Sequence, residues 1–325
     1  MSLSSRTVGR LGKIGLGTAQ LGNLYEPMTD ANADSIVAAA WDEGVRYFDT
    51  APHYGLGLSE RRLGRALAPY PRDEYVLSTK VGRLLVANPA GPAPDGQGFA
   101  VTSGLRREWD FTAAGVQRSL EDSLDRLGMD RVDIAYVHDP DDFLDQAVDE
   151  ALPALASLRD AGMLEAVGAG MNDAGALSRI IDEADVDVVM CAGRLTLLDQ
   201  SARDLLLPAA RRRGVAVVAA APFNSGLLAE PSAAGDLRFD YRPAPLGLRE
   251  RANEIANVCA RFGVALPAAA LAFPFLDPTV RCVVVGMQSI VQVRRNLEAA
   301  FADIPGDVWH ELAARGLVPL DTPAV

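Results

Sequence analysis

The sequence predicts a single (β/α)8 barrel, and three observations lead there. Short apolar runs and amphipathic stretches alternate along 325 residues, with strands beginning near residues 14, 45, 75, 132, 164, 186, 215 and 280, each followed by a helix. Several strands are continuous apolar runs, as strands covered on both faces must be. The rival, an open doubly wound sheet, calls for a glycine-rich turn between an early strand and a helix. The glycines of GKIGLG (12–17) precede no immediate helix. No linker or low-complexity tract divides the chain, so one barrel domain is expected over residues 1–325.

Residues 14–19 are a short strand ending in Gly-Thr. Residues 30–43 are the first helix, with Asp30 as N-cap, apolar positions at Ile36, Val37, Ala40 and Trp41, and a stop at Gly44. VRYFD (45–49) is the second strand, and helix 58–67 is entered after Gly55 and Gly57. YVLSTK (75–80) is the third strand, and helix 111–127 closes at Gly128. VDIAYV (132–137) leads to helix 145–161, closed by Gly162. Strands 164–169, 186–191 and 215–221 alternate with helices 173–184, 201–213 and 247–262. An extra helix, 267–276, precedes the last strand, 280–285, and its helix, 289–301. The connections 82–110 and 222–246 are long, rich in Pro and Gly, and lack periodicity. Long structureless loops in a compact domain are usually functional. Both follow strands, which places them on the C-terminal face, where barrel active sites lie.

Composition narrows the function. With 49% hydrophobic and 23% charged residues the balance is globular. A net charge of −12 argues against a nucleic-acid binder. The first residues hold no apolar signal region, and no apolar run is long enough to span a bilayer. Cys191, Cys259 and Cys282 are odd in number and widely spaced, and no metal-binding motif occurs. The expectation is a cytoplasmic protein acting on a small molecule, without metal, membrane or nucleic acid.

The polar residues at strand ends carry the chemistry. The second strand ends in Asp49 followed by TAPHYG, the third in Lys80, and the fourth in His138-Asp139-Pro140. Neighbouring barrel strands bring these ends to one rim. A tyrosine hydroxyl has a pKa of about 10. Beside the Lys80 ammonium the anion of Tyr54 would be stabilised and its pKa lowered, with Asp49 holding Lys80 charged. His138 would bond the substrate oxygen or the tyrosine. Such a set gives or takes a proton at a carbonyl or hydroxyl oxygen, which suits hydride transfer to or from a bound cofactor.

With those residues in hand, the sequence resembles the aldo-keto reductase family over nearly its whole length. The segments GLGTAQLG (15–22), GVRYFDTAPHYGLGLSERRLGRAL (44–67), STKVG (78–82), SLEDSLDRLGMDRVDIAYVHDPD (119–141) and VVVGMQSIVQVRRNL (283–297) carry the likeness. The resemblance implies a barrel that binds a nicotinamide cofactor, with Asp49, Tyr54, Lys80 and His138 as catalytic tetrad. Implied cofactor contacts are Thr18, Asp49, Asn172, Arg194, Phe223, Asn224, Ser225, Gly226, Leu227, Gly286, Gln288, Gln292, Arg295 and Asn296. The family's usual Gln and Tyr after the sixth strand, and its ring-stacking aromatic after the seventh, are replaced by Ala192, Leu195 and Ala220. NADP-using members place a Lys and an Arg where this chain has Gly286 and Gln292, so NAD is expected to be preferred over NADP, with Arg295 as partial substitute.

Within the family, CAGRLTLLDQ (191–200) and APFNSGLLA (221–229) resemble the aldose 1-dehydrogenase branch. The implied reaction is oxidation of a cyclic hemiacetal of the L-fucose, L-galactose or D-arabinose class to a lactone. A pyridoxal 4-dehydrogenase, a broad aldehyde or ketone reductase, and a non-catalytic cofactor-binding regulator are the alternatives. His53, Tyr54, Trp109 and His138 are the expected substrate contacts, with Arg194 near the pocket. Arg83, Arg106 and Arg107 read as surface charges, and Asp139, Asp141 and Asp142 as solvated or capping loop residues.

Overall fold

The computed structural model describes residues 3–230, 238–240 and 242–319. Eight parallel strands close into a barrel: β1 (Ile14–Gly17), β2 (Tyr47–Asp49), β3 (Val76–Val81), β4 (Ile134–His138), β5 (Ala166–Met171), β6 (Val188–Ala192), β7 (Ala216–Ala220) and β8 (Val280–Gly286). Each strand pairs with its sequence neighbour, and β1 closes on β8 from Ile14↔Val283 to Gly17↔Gly286. Side chains alternate along each strand, so two cores form. Tyr47, Val76, Ile134, Tyr136, Val188, Met190, Val218, Cys282 and Val284 fill the barrel interior, with Leu11 and Val8 beneath. The residues between them face outward and pack against the helices. Gly168 shows how tight the wall is, because a Cβ there would lie 1.6 Å from the Val188 carbonyl oxygen.

The helices are α1 (Leu3–Gly9), α2 (Asp30–Asp42), α3 (Leu58–Leu67), α4 (Ala113–Leu127), α5 (Leu152–Asp160), α6 (Ala174–Glu183), α7 (Leu206–Arg213), α8 (Leu246–Arg261), α9 (Leu266–Ala272), α10 (Ile290–Ala300) and α11 (Gly306–Ala314). Several sequence expectations change. The N-cap of α2 is Thr29, whose side chain accepts from the Asn32 N–H. Asp30 instead pairs with Arg62 and Arg65 of α3, which a helix-end pattern alone does not show. The helix expected at 145–161 is interrupted by a π-helical turn at Ala147–Ala151. Pro153 follows in the first turn of α5 and has no N–H to continue the regular ladder. The helix expected from 201 begins at Leu206, because Asp199 folds the preceding segment by accepting from the Ser201 N–H and hydroxyl. Helices α1 and α11 were not expected. The first carries Val8, which packs with Leu11 beneath the barrel interior, and the last packs Trp309 and Leu312 onto the outer core.

The connection 82–110 is not structureless. Arg83–Ala87 pairs antiparallel with Leu105–Trp109, and Ala93–Pro94 with Thr102–Ser103 beyond it. The hairpin is anchored by the fully buried Phe111, against which a Cβ on Gly82 would press at 2.1 Å. Of the second long connection, 222–246, residues 231–237 and 241 lie outside the described residues; the remainder includes a short antiparallel pair, Arg238↔Pro243 and Phe239↔Arg242. Among the described residues no single helix is long and apolar enough to cross a membrane. Nor does any group of His, Cys, Asp or Glu side chains gather as metal ligands there. The three cysteines are buried and free.

Candidate active site

The ends of β2, β3 and β4 bring Asp49, Lys80 and His138 to one rim, and the turn after β2 adds Tyr54. Two glycines fix that turn. A Cβ on Gly22 would lie 2.6 Å from the Tyr54 backbone, and Gly55 has φ +62 with the Gly22 carbonyl against it. Only backbones bare of side chains can cross so closely, and the crossing sets where the Tyr54 ring begins.

The polar contacts are short and buried. Lys80 Nζ donates to Asp49 Oδ2 at 2.6 Å, to the Thr50 carbonyl at 3.0 Å and to the Tyr54 hydroxyl at 3.1 Å. Asp49 Oδ1 accepts from Ser78 at 2.7 Å. The His138 ring stands edge-on to Tyr54, centroids 5.9 Å apart, and edge-on to His53 at 5.6 Å. Burial alone would push the Lys80 ammonium down; Asp49 and Tyr54 beside it outweigh this and hold its pKa above the ordinary lysine value. Burial, reinforced by Arg83 and Lys80, pushes His138 well below the usual histidine range. Burial, then Arg83 and Arg107, push His53 down to about 2. Both imidazoles are therefore neutral at pH 7.

Tyr54 departs from the sequence expectation. Its pKa is raised, not lowered, because burial outweighs the favourable field of Lys80, and Asp49 adds to the rise. Residue order shows the neighbouring cation but not the exclusion of water around the phenol. In this protein Tyr54 is a neutral phenol at pH 7, ready to donate a proton and able to accept one only once ionised.

The hairpin from the first long loop brings charged residues to the rim that differ from the sequence expectation. Arg83 and Arg107, expected as surface charges, are 8% and 9% exposed. Arg107 grips Asp95 at 2.6 Å in a pair closed to solvent and donates to the His53 carbonyl at 2.7 Å. Arg83 pairs at 2.6 Å with Asp139, whose carboxylate lies 3.5 Å from His138 Nε2. Asp139 holds φ +40, a left-handed conformation rare outside glycine, and its N–H donates to the Gly170 carbonyl. It is a bonded part of the rim and not a solvated loop charge. Arg106 is exposed, as expected, and pairs with Glu108. Phe99, not anticipated, packs 5.2 Å from His53 and 6.1 Å from Tyr54. The arginine three residues after Lys80 was a usable signal, but the Asp95–Arg107 pairing depends on the hairpin register. Trp109 is 40% exposed, paired with Arg83 across the hairpin base, with that guanidinium 5.7 Å over its ring.

The opposite rim, at the ends of β5 to β8, is built differently. Arg194 donates to the Asn172 carbonyl at 2.7 Å and pairs with Asp199 and Asp240, so its charge is committed within the protein. Thr18 is buried, its hydroxyl bonded to the Asp49 carbonyl and Ser59. After β7 the chain turns through Ala221, Asn224 and Ser225, all at positive φ, and Gly226 at φ +103. Such strain persists where a surrounding site requires it. Phe223 and Leu227 pack inward within this turn. After β8, Gly286 and Gln288 are exposed, the Gln288 N–H donates to Gln292, and Arg295 is exposed on α10. Asn224 Oδ1, Asn296 Oδ1 and Gln20 Oε1 are buried without partners, and the Gln20 amide lies against Gly286. Buried amide oxygens without a bond are costly, which points to a ligand that completes them.

Residues 13–314 match the Aldo/keto reductase family. The chain belongs to this family. Its members are oxidoreductases that use nicotinamide cofactors. The D-threo-aldose 1-dehydrogenase of a Pseudomonas species is 47% identical over 311 residues, 94% of each chain. The pyridoxal 4-dehydrogenase of Microbacterium luteolum is 39% identical, over 96% of this chain and 97% of its own. Among solved structures, the glycerol dehydrogenase of Gluconobacter oxydans superposes with TM-score 0.75 at 24% identity, over 97% and 95% of the two chains, a likeness of fold. The strained turn after β7 and the unpaired amide oxygens of Asn224 and Asn296 fit the family's cofactor. Asn224, Ser225, Gly226 and Asn296 are the residues of this rim that could hold it.

Proposed function

We propose that this aldo/keto reductase oxidises the C1 hydroxyl of an aldose hemiacetal to the lactone, with Tyr54 as the proton-transfer group and NAD preferred over NADP. The observation that carries the reading is the buried chain Tyr54–Lys80–Asp49, with neutral His138 and His53 beside it. The dehydrogenase relatives support the substrate class. The nicotinamide, when bound, supplies the hydride acceptor. Tyr54 takes the hydroxyl proton, Lys80 stabilises the phenolate that must form first, and Asp49 keeps Lys80 charged and in place. Neutral His138 donates or accepts at the same substrate oxygen, and Phe99 packs beside His53 and Tyr54. Because Tyr54 is raised, oxidation gains rate as pH climbs towards its ionisation, while reduction runs with the phenol already protonated.

Gly286 and Gln292 provide no cation for a 2′-phosphate; the exposed charges that follow are Arg294, which faces Glu43 at 3.5 Å, and Arg295. This supports NAD; a strong NADP preference in kcat/KM would overturn that part. A second reading, oxidation of pyridoxal, is favoured by the rings of Phe99 and His53 beside Tyr54, which suit a flat aromatic substrate. The experiment follows reduced nicotinamide with L-fucose, L-galactose, D-arabinose and pyridoxal in separate reactions. A sugar signal with lactone product is expected; a signal from pyridoxal alone replaces the first reading with the second. Tyr54→Phe is expected to lower kcat by about 10²–10⁴-fold. Turnover near the parent rate in that variant would sink the assignment of Tyr54.

A further inference from the structure

Below the active-site rim, inside the barrel, lies a line of hydroxyl groups that the reaction as described does not use. Tyr136 and Tyr47 hydroxyls are 3.2 Å apart, and the Tyr47 hydroxyl is 3.0 Å from Ser78 Oγ. Ser78 Oγ donates to Asp49 Oδ1 at 2.7 Å, on the carboxylate whose other oxygen holds Lys80. All three side chains are completely buried, in a region otherwise filled with Val, Ile, Ala, Leu and Met and the Cys282 thiol.

The direction of every bond in this line is fixed. Each hydroxyl has one proton to give. Ser78 spends its proton on Asp49, so Tyr47 must donate to Ser78. Tyr47 has then spent its own, so Tyr136 must donate to Tyr47. Three O–H dipoles thus point their positive ends up the barrel towards Asp49, Lys80 and Tyr54. In a low-dielectric interior aligned bonds reinforce one another. They hold one carboxylate oxygen, spread its charge downward, and leave the ammonium's field on the Tyr54 phenol less cancelled.

We propose that Tyr136, Tyr47 and Ser78 are positioning residues that act through Asp49 and Lys80 to ease the ionisation of Tyr54. The inference rests on the reading of Tyr54 as the proton-transfer group. The groups facing Tyr54 are Lys80 from β3, Asp49 from β2, His138 and Asp139 at the end of β4, and His53 on its own turn, with Arg83 of the hairpin behind Asp139. Tyr47→Phe and Tyr136→Phe substitute none of these groups.

The test is the pH dependence of kcat in Tyr47→Phe, which removes one oxygen and keeps the ring. The probe is whichever panel sugar the parent oxidises, or glyceraldehyde reduced with NADH if none is. Without the Tyr47 hydroxyl, Tyr54 ionises at higher pH. The rising limb of oxidation, or the falling limb of reduction, is expected to move alkaline by about half a unit, with KM little changed. Tyr136→Phe, one bond further away, should move it less. It also serves as the test should Tyr47→Phe not fold. A limb identical to the parent's, even with a lowered Tm, means the line only fills the barrel and overturns the proposal. Tyr54→Phe run alongside separates the two failures. If it stays active, the acid–base reading falls. If it is inactive while Tyr47→Phe and Tyr136→Phe keep the parent profile, only the hydroxyl line falls.

Discussion

The two halves of the barrel rim are built on opposite terms. At the ends of β2, β3 and β4, charges are matched one against another: Lys80 with Asp49, Arg83 with Asp139, and Arg107 with Asp95 on the hairpin. At the ends of β6, β7 and β8 the corresponding positions are Ala192, Ala220 and Gly286; the charge pairs there, Arg194 with Asp199 and Asp240, lie beyond the strand end, and the amide oxygens of Asn224 and Asn296 are buried without partners. The difference teaches how such a site divides its work. A proton must be handed over at a fixed point, so Tyr54 is held to Lys80, and Lys80 to Asp49, by charge-assisted bonds. A bound molecule must be admitted and released, so its half leaves small side chains and polar atoms for it to complete.

The sharpest break comes from Lys80→Met. The change removes the ammonium that bridges Asp49 and Tyr54 and leaves a buried carboxylate uncompensated, so a stability loss of about 3–5 kcal/mol is expected. Activity should fall by roughly 10²–10⁴-fold. Denaturant unfolding and steady-state kinetics check both; an unchanged Cm would mean the pair is not the strut of this half.

A change of pH probes the same half more gently. His53 is held neutral when folded, with its pKa lowered from 6.5 to about 2. Its folded value is depressed, so the unfolded chain binds the proton first. Stability is full above pH 6.5 and is lost as pH falls from there towards 2. The slope from one such group reaches about 1.4 kcal/mol per pH unit. His53→Gln should therefore flatten the decline of Tm on acidification, and an unaltered decline would place the titrating group elsewhere.

The opposite half should respond in the other currency, affinity without stability. Asn296→Ala removes a buried amide whose oxygen has no partner, so Tm should hardly change. Nucleotide affinity, followed by fluorescence or calorimetry, should weaken about tenfold. A large fall in Tm with affinity intact would make Asn296 a packing residue and remove the contrast between the halves.

Much of this was readable from particular residues. Asp49, Tyr54, Lys80 and His138 each stand at or just after the end of a strand whose apolar run is unmistakable, and parallel strand order brings such ends together. The hairpin in 82–110 was not readable, because its strands alternate around charges whose partners lie elsewhere. Arg107 looks like any surface arginine until the pairing of Leu85 with it turns it towards Asp95 and the His53 carbonyl. The Tyr54 ionisation was misjudged for the same reason: neighbours in sequence reveal which charges are near, not how much water is excluded.

The sequence by itself determined the barrel, the four residues at its rim and the family, because these depend on periodicity and on local order along the chain. Tertiary structure decided which charges are buried, which protons point where along Tyr136, Tyr47 and Ser78, and that the tyrosine is neutral. Those follow from distance and desolvation between residues tens of positions apart, and neither is written in any single stretch of the chain.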